Sequence, residues 1–288
     1  MTALHPGLRQ RARADVLDDS ALREFEVLAD SDPVVNAVVS ARVHAVATLV
    51  PGRLGGLMLG VRHGDDLVGA CYAGSNLVPV GGDAETWEGL ARFVAQRPRG
   101  CTSIVGRADT VGVMWPLLAR SWAPARSVRW NQPLLVLDGP LPVGGGESVR
   151  PARPADLERY LPAAAAMFTE ELGVSPHVAP GSVPFRARVN ELLTAGRAFA
   201  SFDFRGQVTF KAEIGAVSRR ACQIQGVWVR PDLRRRGIGT ASLASVMTHA
   251  LTLAPTVSLY VNDYNTAARS MYARLGMRQV ATLSTVLL

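Results

Sequence analysis

One segment, Gln223–Ser242, constrains the fold of this chain more than any other, because it places a strand, a glycine-containing loop and a helix start within twenty residues. The apolar run Ile224–Val229 predicts the strand, Pro231-Asp232 predicts a turn, and Thr240–Leu253 is compatible with a helix. The first N–H groups of a helix have no intrahelical partner, and the aligned peptide dipoles leave a positive potential there. The segment therefore predicts an anion site at a strand-to-helix junction.

The loop of this segment has the composition of a phosphate site. Gly237 and Gly239 allow a phosphate to approach the backbone with no Cβ in the way. The preceding arginine run, Arg234–Arg236, adds charge that can neutralise a pyrophosphate. The Gly-Lys-Ser/Thr of a P-loop is missing, and Ser242 stands where a dinucleotide fingerprint needs its third glycine. The sequence thus predicts a phosphorylated ligand held by a different kind of loop.

Two motifs together resemble the GNAT superfamily of acetyl-CoA-dependent N-acetyltransferases. The first is Arg-x-x-Gly-x-Gly after a strand that ends Val-Trp-Val, which resembles the GNAT pyrophosphate loop. The second lies about one strand and one helix further on, as in GNAT proteins. Its residues are Asn265, Ala268, Tyr272, Gly276 and Met277. Residues 149–288, which hold both motifs in the order of the family, are identified as a GNAT domain.

The order of elements predicts an α/β fold with a mixed sheet, built as two tandem lobes. The segment Asp138–Glu147 has two prolines and four glycines in ten residues, which predicts a linker between domains 1–140 and 149–288. A length of 288 residues also favours two domains. The second domain follows the pattern β-α-α-β-β-β-α-β-α-β of GNAT proteins. The first domain has a similar order of helices and strands and resembles a degenerate GNAT lobe, as in the two-lobed GNAT proteins of actinobacteria.

The first lobe lacks the features of a phosphate site. Its counterpart of the pyrophosphate loop falls near Pro79–Asp83, where no arginine precedes the glycines. Asp83 and Glu85 would repel a phosphate at that position. We expect a lobe that acts as a scaffold; a second site for the acyl donor is the alternative.

The resemblance implies a set of residues that bind acetyl-CoA as the acyl donor. Backbone groups of the strand Val227–Val229 would hold the pantetheine arm, and the N–H of Val229 would polarise the thioester carbonyl. Backbone N–H groups of the loop would hold the pyrophosphate. The implied contacts are Val227, Trp228, Val229, Arg234, Arg235, Arg236, Gly237, Ile238, Gly239, Thr240, Asn265, Arg269 and Tyr272. The alternatives are that Val227 and Val229 belong simply to a core strand, that the arginine run is a solvated turn, and that Asn265 caps its own helix.

The resemblance also implies a general acid, whereas the general base departs from the family pattern. Tyr272 matches the GNAT residue that protonates the leaving thiolate; the alternative is an aromatic packed against the sheet. GNAT bases are often a glutamate on the strand before the loop, but Gln223 stands there. Glu213, on the preceding predicted strand, is the best substitute. If Lys211 shares its face of that strand, a salt bridge is the alternative.

The expected reaction is direct transfer of an acetyl group from acetyl-CoA to an amine in a ternary complex, because the matched motifs hold no cysteine nucleophile. The acceptor is left open among a small amine, an amino-sugar compound and a protein amino group, since a fold does not fix a substrate. Loops around Leu172–Pro184 and between the lobes are expected to select it. The rival function is non-catalytic binding or sensing of acyl-CoA, which Gln223 favours. A monomer is expected.

Composition argues against other classes of protein. Cys71, Cys101 and Cys222 are scattered and odd in number, which excludes a disulfide framework, and the five histidines lie too far apart for a metal motif. No apolar stretch is long enough for a membrane helix, and the first residues lack the apolar region of a secretion signal, so we expect a cytoplasmic protein. The net charge of +7 raises nucleic-acid binding as an alternative. However, Lys211 is the only lysine, and such an excess of arginine over lysine is typical of codon bias in a GC-rich genome. The arginines are also spread along the chain and do not form one basic patch in the sequence.

Overall fold

The computed structural model describes residues 13–146, 148–176 and 182–288 of the chain. These residues form two compact units. Unit 1 contains the chain up to Gln132 together with Thr282–Leu288, and unit 2 contains Pro133–Ala281. This division differs from the linker-based prediction of domains 1–140 and 149–288. The reason is that the last strand of the sequence is hydrogen-bonded within unit 1, where Leu283 pairs with Arg107 and Leu287 with Ser103.

Unit 1 has the element order that was predicted for a GNAT lobe, with one short extra helix. Its elements are β1 (Arg13–Val16), α1 (Leu22–Asp30), α2 (Ala37–Val46), α3 (Pro51–Leu54), β2 (Leu57–His63), β3 (Asp66–Ala73), β4 (Asn76–Gly81), α4 (Ala84–Ala95), β5 (Ser103–Arg107), α5 (Ala108–Leu118) and the first part of β6 (Ser127–Leu137). A 3-10 turn, Asp19–Ala21, precedes α1. Its strands lie in the order β1-β2-β3-β4-β5, and the end of β12 (Arg278–Leu287) follows β5.

Unit 2 has the same order of elements, which confirms the predicted tandem arrangement. Its elements are the second part of β6, β7 (Arg150–Pro151), α6 (Leu157–Leu172), α7 (Ser182–Thr194), β8 (Ala198–Phe202), β9 (Val208–Val217), β10 (Ala221–Val229), α8 (Ile238–Ala250), β11 (Thr256–Tyr260), α9 (Thr266–Arg274) and the start of β12. Short 3-10 turns occupy Pro154–Asp156 and Pro231–Leu233. Its strands lie in the order β6-β11-β10-β9-β8-β7.

The sheet of unit 2 is mixed and is covered by helices on both faces. Strands β10 and β11 are parallel, whereas β9 and β10, β8 and β9, and β6 and β11 are antiparallel. The face toward α8 and α9 buries one apolar cluster that includes Phe210, Ile224 and Leu243. The opposite face, toward α6 and α7, buries a second cluster that includes Tyr160 and Trp228. The alternation of side chains along β9 and β10 divides their residues between the two clusters.

The structure corrects several local predictions. The residue pattern of the first lobe predicts one hairpin, Gly56–Arg62 with Leu67–Ser75, before α4. It misses β1, which is short, and β4, whose Pro79 favours a turn or an edge position. The apolar run Leu134–Leu137 predicts a strand, but β6 begins seven residues before it, with five residues that are exposed or half-buried. The position of Asp156 predicts a cap of α6; its carboxylate instead accepts from the N–H of Arg153, one turn earlier, at 2.8 Å.

The glycine-rich segment after β6 was predicted as a free linker, but its end is docked against α8. The N–H of Gly146 donates to the carbonyl oxygen of Ala241 at 2.9 Å, and the Ser245 hydroxyl donates to the carbonyl oxygen of Gly146 at 2.8 Å. A Cβ on Gly145 would lie 2.5 Å from Ser245 Oγ. The glycines therefore allow the chain to pass close to the helix.

The predicted loop for acceptor selection, Leu172–Pro184, lies partly outside the described residues, as do the first twelve residues of the chain. Across the portion of the chain with described structure, each helix is too short or too polar to cross a lipid bilayer.

Candidate acyl-donor site

The first component of the site is a bulge in β10. Gln225 pairs with Glu213 and Trp228 pairs with Lys211, so one extra residue of β10 lies between these two pairs. Gly226, within the bulge, has φ +60°, a conformation that only glycine adopts without strain. An isolated glycine inside a predicted strand is a signal for such a bulge, and sequence reasoning overlooked it.

The second component is the free edge of β10 beyond the bulge. The parallel ladder with β11 covers Ala221–Gln223 and, for the described residues, ends at the pair of Gln223 with Ser258. Arg230 N–H donates to the carbonyl oxygen of Thr209 on β9 at 3.0 Å. Because N–H directions alternate along a strand, the N–H of Val229 points away from β9 and toward the side of β11. Val229 therefore offers a donor at an edge where the strands have separated.

The third component is the start of α8. Arg235 has φ +62° and Gly237 has φ +76°, and the helix begins at Ile238 with no side chain capping its first turn. Its first N–H groups are thus left for a ligand, and the helix dipole favours an anion there. A Cβ on Gly239 would lie 3.0 Å from Met271 Sδ and 3.1 Å from Val229 Cγ2, so this position admits only glycine without movement. The half-buried Thr240 follows in the first turn.

The arginine run divides into two parts. The Arg234 guanidinium donates to the carbonyl oxygen of Val229 at 2.9 Å and to Glu170 Oε2 at 2.6 Å. Its side chain therefore fixes the loop against the strand. Arg235 and Arg236 are exposed, and within the described ranges their side chains have no protein partner. These two charges are the ones that a pyrophosphate could use.

Glu170, at the end of α6, was not identified from the sequence. Besides Arg234, it accepts from Trp228 Nε1 at 3.0 Å. This carboxylate joins α6, the bulged strand and the loop, although it precedes Arg234 by sixty-four positions. No local pattern in the sequence could indicate a contact at this separation.

Helix α9 places the second motif beside the same strand end. Asn265 caps the helix by accepting from the Ala268 N–H at 3.2 Å, as predicted. Arg269 is exposed and donates to the carbonyl oxygen of Asp263 at 3.2 Å. Tyr272 is buried in the apolar cluster under α8 and α9, and for the described residues its hydroxyl has no protein partner. Burial, aided by the charge of Glu171, raises the pKa of Tyr272, so the phenol stays protonated at neutral pH.

Glu213 lies in a buried polar cluster on the α6 face. Its Oε1 accepts from Lys211 Nζ at 2.8 Å and from the Tyr160 hydroxyl at 3.1 Å, and its Oε2 accepts from Gln225 Nε2 at 3.3 Å. The salt bridge that was the alternative for Glu213 is thus present. Burial and the Glu213 charge raise the pKa of Tyr160 well above its ordinary value, which keeps it a donor. Gln223, also buried, pairs with Ala216 on β9 and Ser258 on β11.

The corresponding helix start in unit 1 is closed by its own side chain. Asp83 caps α4 by accepting from the Thr86 N–H at 2.9 Å, and hydrogen bonds from Thr86 lower the pKa of Asp83. Gly81 and Gly82 both have positive φ, but a Cβ on Gly82 would lie 2.5 Å from Trp87 Cζ2. A carboxylate therefore already occupies the start of α4 and accepts from one N–H of its first turn.

The site thus consists of a strand with a bulge and a free edge, an arginine-containing loop and a helix without a side-chain cap. These elements lie in a segment that matches a known protein family. Residues 195–277 match the model of the acetyltransferase (GNAT) family, and residues 56–160 match a domain family of unknown function, DUF4081. The chain thus contains a GNAT acetyltransferase domain in its C-terminal part. No curated protein sequence matches the chain.

Solved structures extend the likeness to nearly the whole chain. A GCN5-related N-acetyltransferase from Sphaerobacter thermophilus is 16% identical, with a TM-score of 0.56, and covers 97% of this chain and 96% of its own. An acetyltransferase of the GNAT family from Colwellia psychrerythraea is 13% identical, with a TM-score of 0.56, and covers 96% and 99%. A tandem GNAT protein from the clavulanic acid biosynthesis pathway is 13% identical, with a TM-score of 0.54, and covers 96% and 98%. The chain has the tandem GNAT fold. The match of residues 195–277 to the acetyltransferase model supports acyl transfer to an acceptor in general.

Proposed function

We propose that this protein is an N-acetyltransferase that transfers an acetyl group from acetyl-CoA directly to an amine. The observation that carries the proposal is the start of α8, which has no side-chain cap and lies beside the free edge of β10. It directly follows a loop in which Arg235 and Arg236 have no side-chain partner among the described residues. The close approach of Gly239 to Met271 and Val229 keeps this cradle free of a Cβ, so the residues present fit a pyrophosphate. Loop N–H groups would bind the pyrophosphate, and Val227–Val229 would hold the pantetheine arm.

The reaction needs an amine in its neutral form. An amine with a pKa of about 10.4 is neutral in only about one molecule in a thousand near pH 7.4, which costs about 4 kcal/mol unless a base assists. The amine nitrogen then bonds to the acetyl carbon, the C–S bond breaks, and the amine loses a proton. Glu213 is the proposed acceptor of that proton, acting through water. Its Oε1 already accepts from Lys211 and Tyr160, whereas its Oε2 accepts from the exposed Gln225 and keeps a lone pair that can take the proton.

The leaving thiolate needs a proton donor at the opposite side of the reacting centre. Tyr272 is proposed for this role. Its raised pKa keeps the proton on the phenol until a thiolate forms, and its hydroxyl is not used by another side chain of the described structure. Asn265 and Arg269 are proposed to contact the pantetheine and the adenosine phosphate at the start of α9.

Non-catalytic binding of acyl-CoA is the second candidate, and the buried salt bridge favours it. Glu213 is paired with Lys211, and Gln223 cannot act as a base. Glu213→Gln separates the two functions. As an enzyme, the variant is expected to bind acetyl-CoA with unchanged affinity but to lose turnover. Retained turnover with a true acceptor would remove Glu213 from the base role.

Titration calorimetry with acetyl-CoA tests the proposal directly. We expect micromolar binding by the natural chain and a loss of at least about 100-fold for Gly237→Glu, because a carboxylate beside the pyrophosphate costs several kcal/mol. Gly64→Glu is the matched control, since Gly64 also has a positive φ and open space around it. Equal loss in both variants, or no binding by the natural chain, would contradict the proposal. Binding would justify a screen of amine acceptors by release of the CoA thiol.

A further inference from the structure

The only lysine of the chain lies buried directly beneath the bulge of β10. Lys211 is fully buried, and its Nζ lies 3.0 Å from the carbonyl oxygen of Gly226 and 2.8 Å from Glu213 Oε1. Met167 Sδ lies at 3.3 Å, and the Tyr160 ring centroid lies at 5.5 Å. Every other basic residue in this arginine-rich sequence, histidines apart, is an arginine. Lys211 is therefore an exception at a buried position next to the proposed site.

The surroundings of Lys211 suit a compact ammonium. A Cβ on Gly226 would lie 2.9 Å from Lys211 Nζ and 3.2 Å from Glu213 Oε2, so the glycine and the ammonium occupy complementary space. An arginine carries a larger planar group with five donors in a fixed fork, which this enclosed position does not match. The lysine and the glycine at φ +60° thus fit each other.

The contact with Lys211 fixes the direction of one peptide group. The carbonyl of Gly226 points toward Lys211, which lies on the α6 face of the sheet with Met167 and Tyr160. In a trans peptide the C=O and N–H bonds point in opposite directions. The N–H of Val227 therefore points toward the face that holds α8, α9 and Tyr272, where the Val227 side chain also packs.

Resting on the proposed function, we propose that Lys211 is a positioning residue that orients and polarises the Gly226–Val227 peptide, so that the Val227 N–H donates to the thioester carbonyl oxygen of the acyl donor. A charge-assisted hydrogen bond to a peptide carbonyl withdraws electron density from the same amide and strengthens its N–H as a donor. Glu213 balances the buried charge of the ammonium. In this proposal the Val229 N–H, which points toward β11, serves the pantetheine arm, and the Val227 N–H takes the contact to the thioester carbonyl that the resemblance implied for Val229.

A charge-neutral double substitution removes the contact between the ammonium and the carbonyl. Lys211→Met alone would leave the Glu213 carboxylate buried without its cation, and Glu213→Gln alone would leave the Lys211 ammonium buried without its anion. The comparison is therefore made between the natural chain and the double variant Lys211→Met/Glu213→Gln, neither of which contains an unpaired buried charge. Thermal melting monitored by circular dichroism and binding of CoA establish that both are folded.

Isotope-edited infrared spectroscopy with acetyl-CoA carrying a 13C carbonyl reads the proposed contact without any acceptor. We expect the bound carbonyl stretch to lie at lower wavenumber in the natural chain than in the double variant, because a stronger donor weakens the C=O bond. The preference for acetyl-CoA over CoA is expected to fall by about 3- to 10-fold in the double variant, the effect of one hydrogen bond. Equal wavenumbers and equal preferences would reduce Lys211 to a structural role.

The natural chain provides a second measurement that does not depend on the folding of any variant. Because Lys211 is the only lysine, protein labelled with 15Nζ-lysine gives a single side-chain ammonium signal in an NMR spectrum. Acetyl-CoA is expected to shift this signal more than CoA does, since only acetyl-CoA carries an oxygen that accepts from Val227. Identical shifts with both ligands would overturn the inference. No binding of either ligand would instead refute the proposed function, so the two failures can be told apart.

Discussion

Two regions of the molecule, the β4–α4 junction of unit 1 and the β10–α8 junction of unit 2, share a topology but differ in what completes them. In both, the parallel ladder to the next strand is short, ending at Leu77 with Ile104 in unit 1 and at Gln223 with Ser258 in unit 2. The register of β4 against β3 is unbroken, whereas β10 is bulged at Gly226. Separation of two parallel strands is therefore a property of the fold and does not by itself make a ligand site.

The helix starts show the same contrast more sharply. The carboxylate of Asp83 caps the N-terminus of α4, whereas α8 begins directly after Gly237 and has no side-chain cap. In unit 1 the Pro79 ring also lies so near Gly106 that a Cβ there would come within 2.7 Å. A helix that satisfies its own first turn can serve as a scaffold, and one that leaves it open can receive an anion.

The largest expected effect comes from reversing the charge of the open loop. Arg235→Glu/Arg236→Glu is expected to weaken acetyl-CoA binding by at least about 100-fold at low salt, because two like charges then face the pyrophosphate. Arg219→Glu/Arg220→Glu, at the exposed turn between β9 and β10, changes the net charge equally and should change the Kd by less than about 3-fold. Calorimetry at low ionic strength measures both. Equal losses of acetyl-CoA affinity in both variants would show a general effect of net charge. The difference between the β10–α8 and β4–α4 junctions would then have no support.

The next effect concerns a closed helix start within unit 2. A hydrogen bond from Arg150, with the Arg153 N–H and nearby positive charge, lowers the pKa of Asp156 to about 2. Because this pKa is below that of the unfolded chain, the stabilisation is present above about pH 4 and is lost as the pH falls toward 2, a total of about 2 kcal/mol. Asp156→Asn should lose this amount at pH 7 and show a flatter pH dependence in urea unfolding. The same slope in both proteins would argue against the assignment.

A smaller effect is expected from a single methyl group in the open junction. Gly239→Ala places its Cβ near the flexible Met271 and the rigid Val229, so α8 must shift slightly and acetyl-CoA should bind about 10-fold more weakly. Gly112→Ala, in the interior of α5 with open space around it, is the matched control and should stabilise its helix by up to about 1 kcal/mol. Unchanged affinity in Gly239→Ala would show that close packing of the cradle is not required.

The smallest effect tests whether opening α4 creates a second site. Asp83→Ala removes the cap and is expected to destabilise the protein by about 1 kcal/mol in urea unfolding. The Kd and the stoichiometry for acetyl-CoA should not change, because Trp87 still lies against Gly82 and no arginine precedes the helix. A second equivalent of bound acetyl-CoA would show that Asp83 alone separates the two junctions.

Much of the fold follows from local patterns. The sequence pattern predicts a helix over Ala84–Ala95, and α4 has these bounds. Asp83 caps its start, and its apolar residues recur at helical spacing. The sequence likewise predicts a strand over Val208–Val217, which are the bounds of β9, and Asn265 caps α9. The two motifs predicted the GNAT fold because the loop and the helix cap are each formed by residues that lie a few positions apart in the sequence. The roles proposed for individual site residues remain predictions.

The sequence by itself determined most of the elements, their order and the position of the Arg-x-x-Gly-x-Gly loop, because helix caps, glycine conformations and apolar repeats depend on near neighbours. Only the tertiary structure decided that Thr282–Leu288 completes unit 1, that Glu170 holds Trp228 and Arg234, and that Lys211 lies under the bulge at Gly226. These contacts join residues far apart in the chain. The physical reason is that the partner of a buried charge or of a free strand edge is a residue that packing brings close in space. Such a residue can lie anywhere in the chain, so no local sequence pattern indicates it.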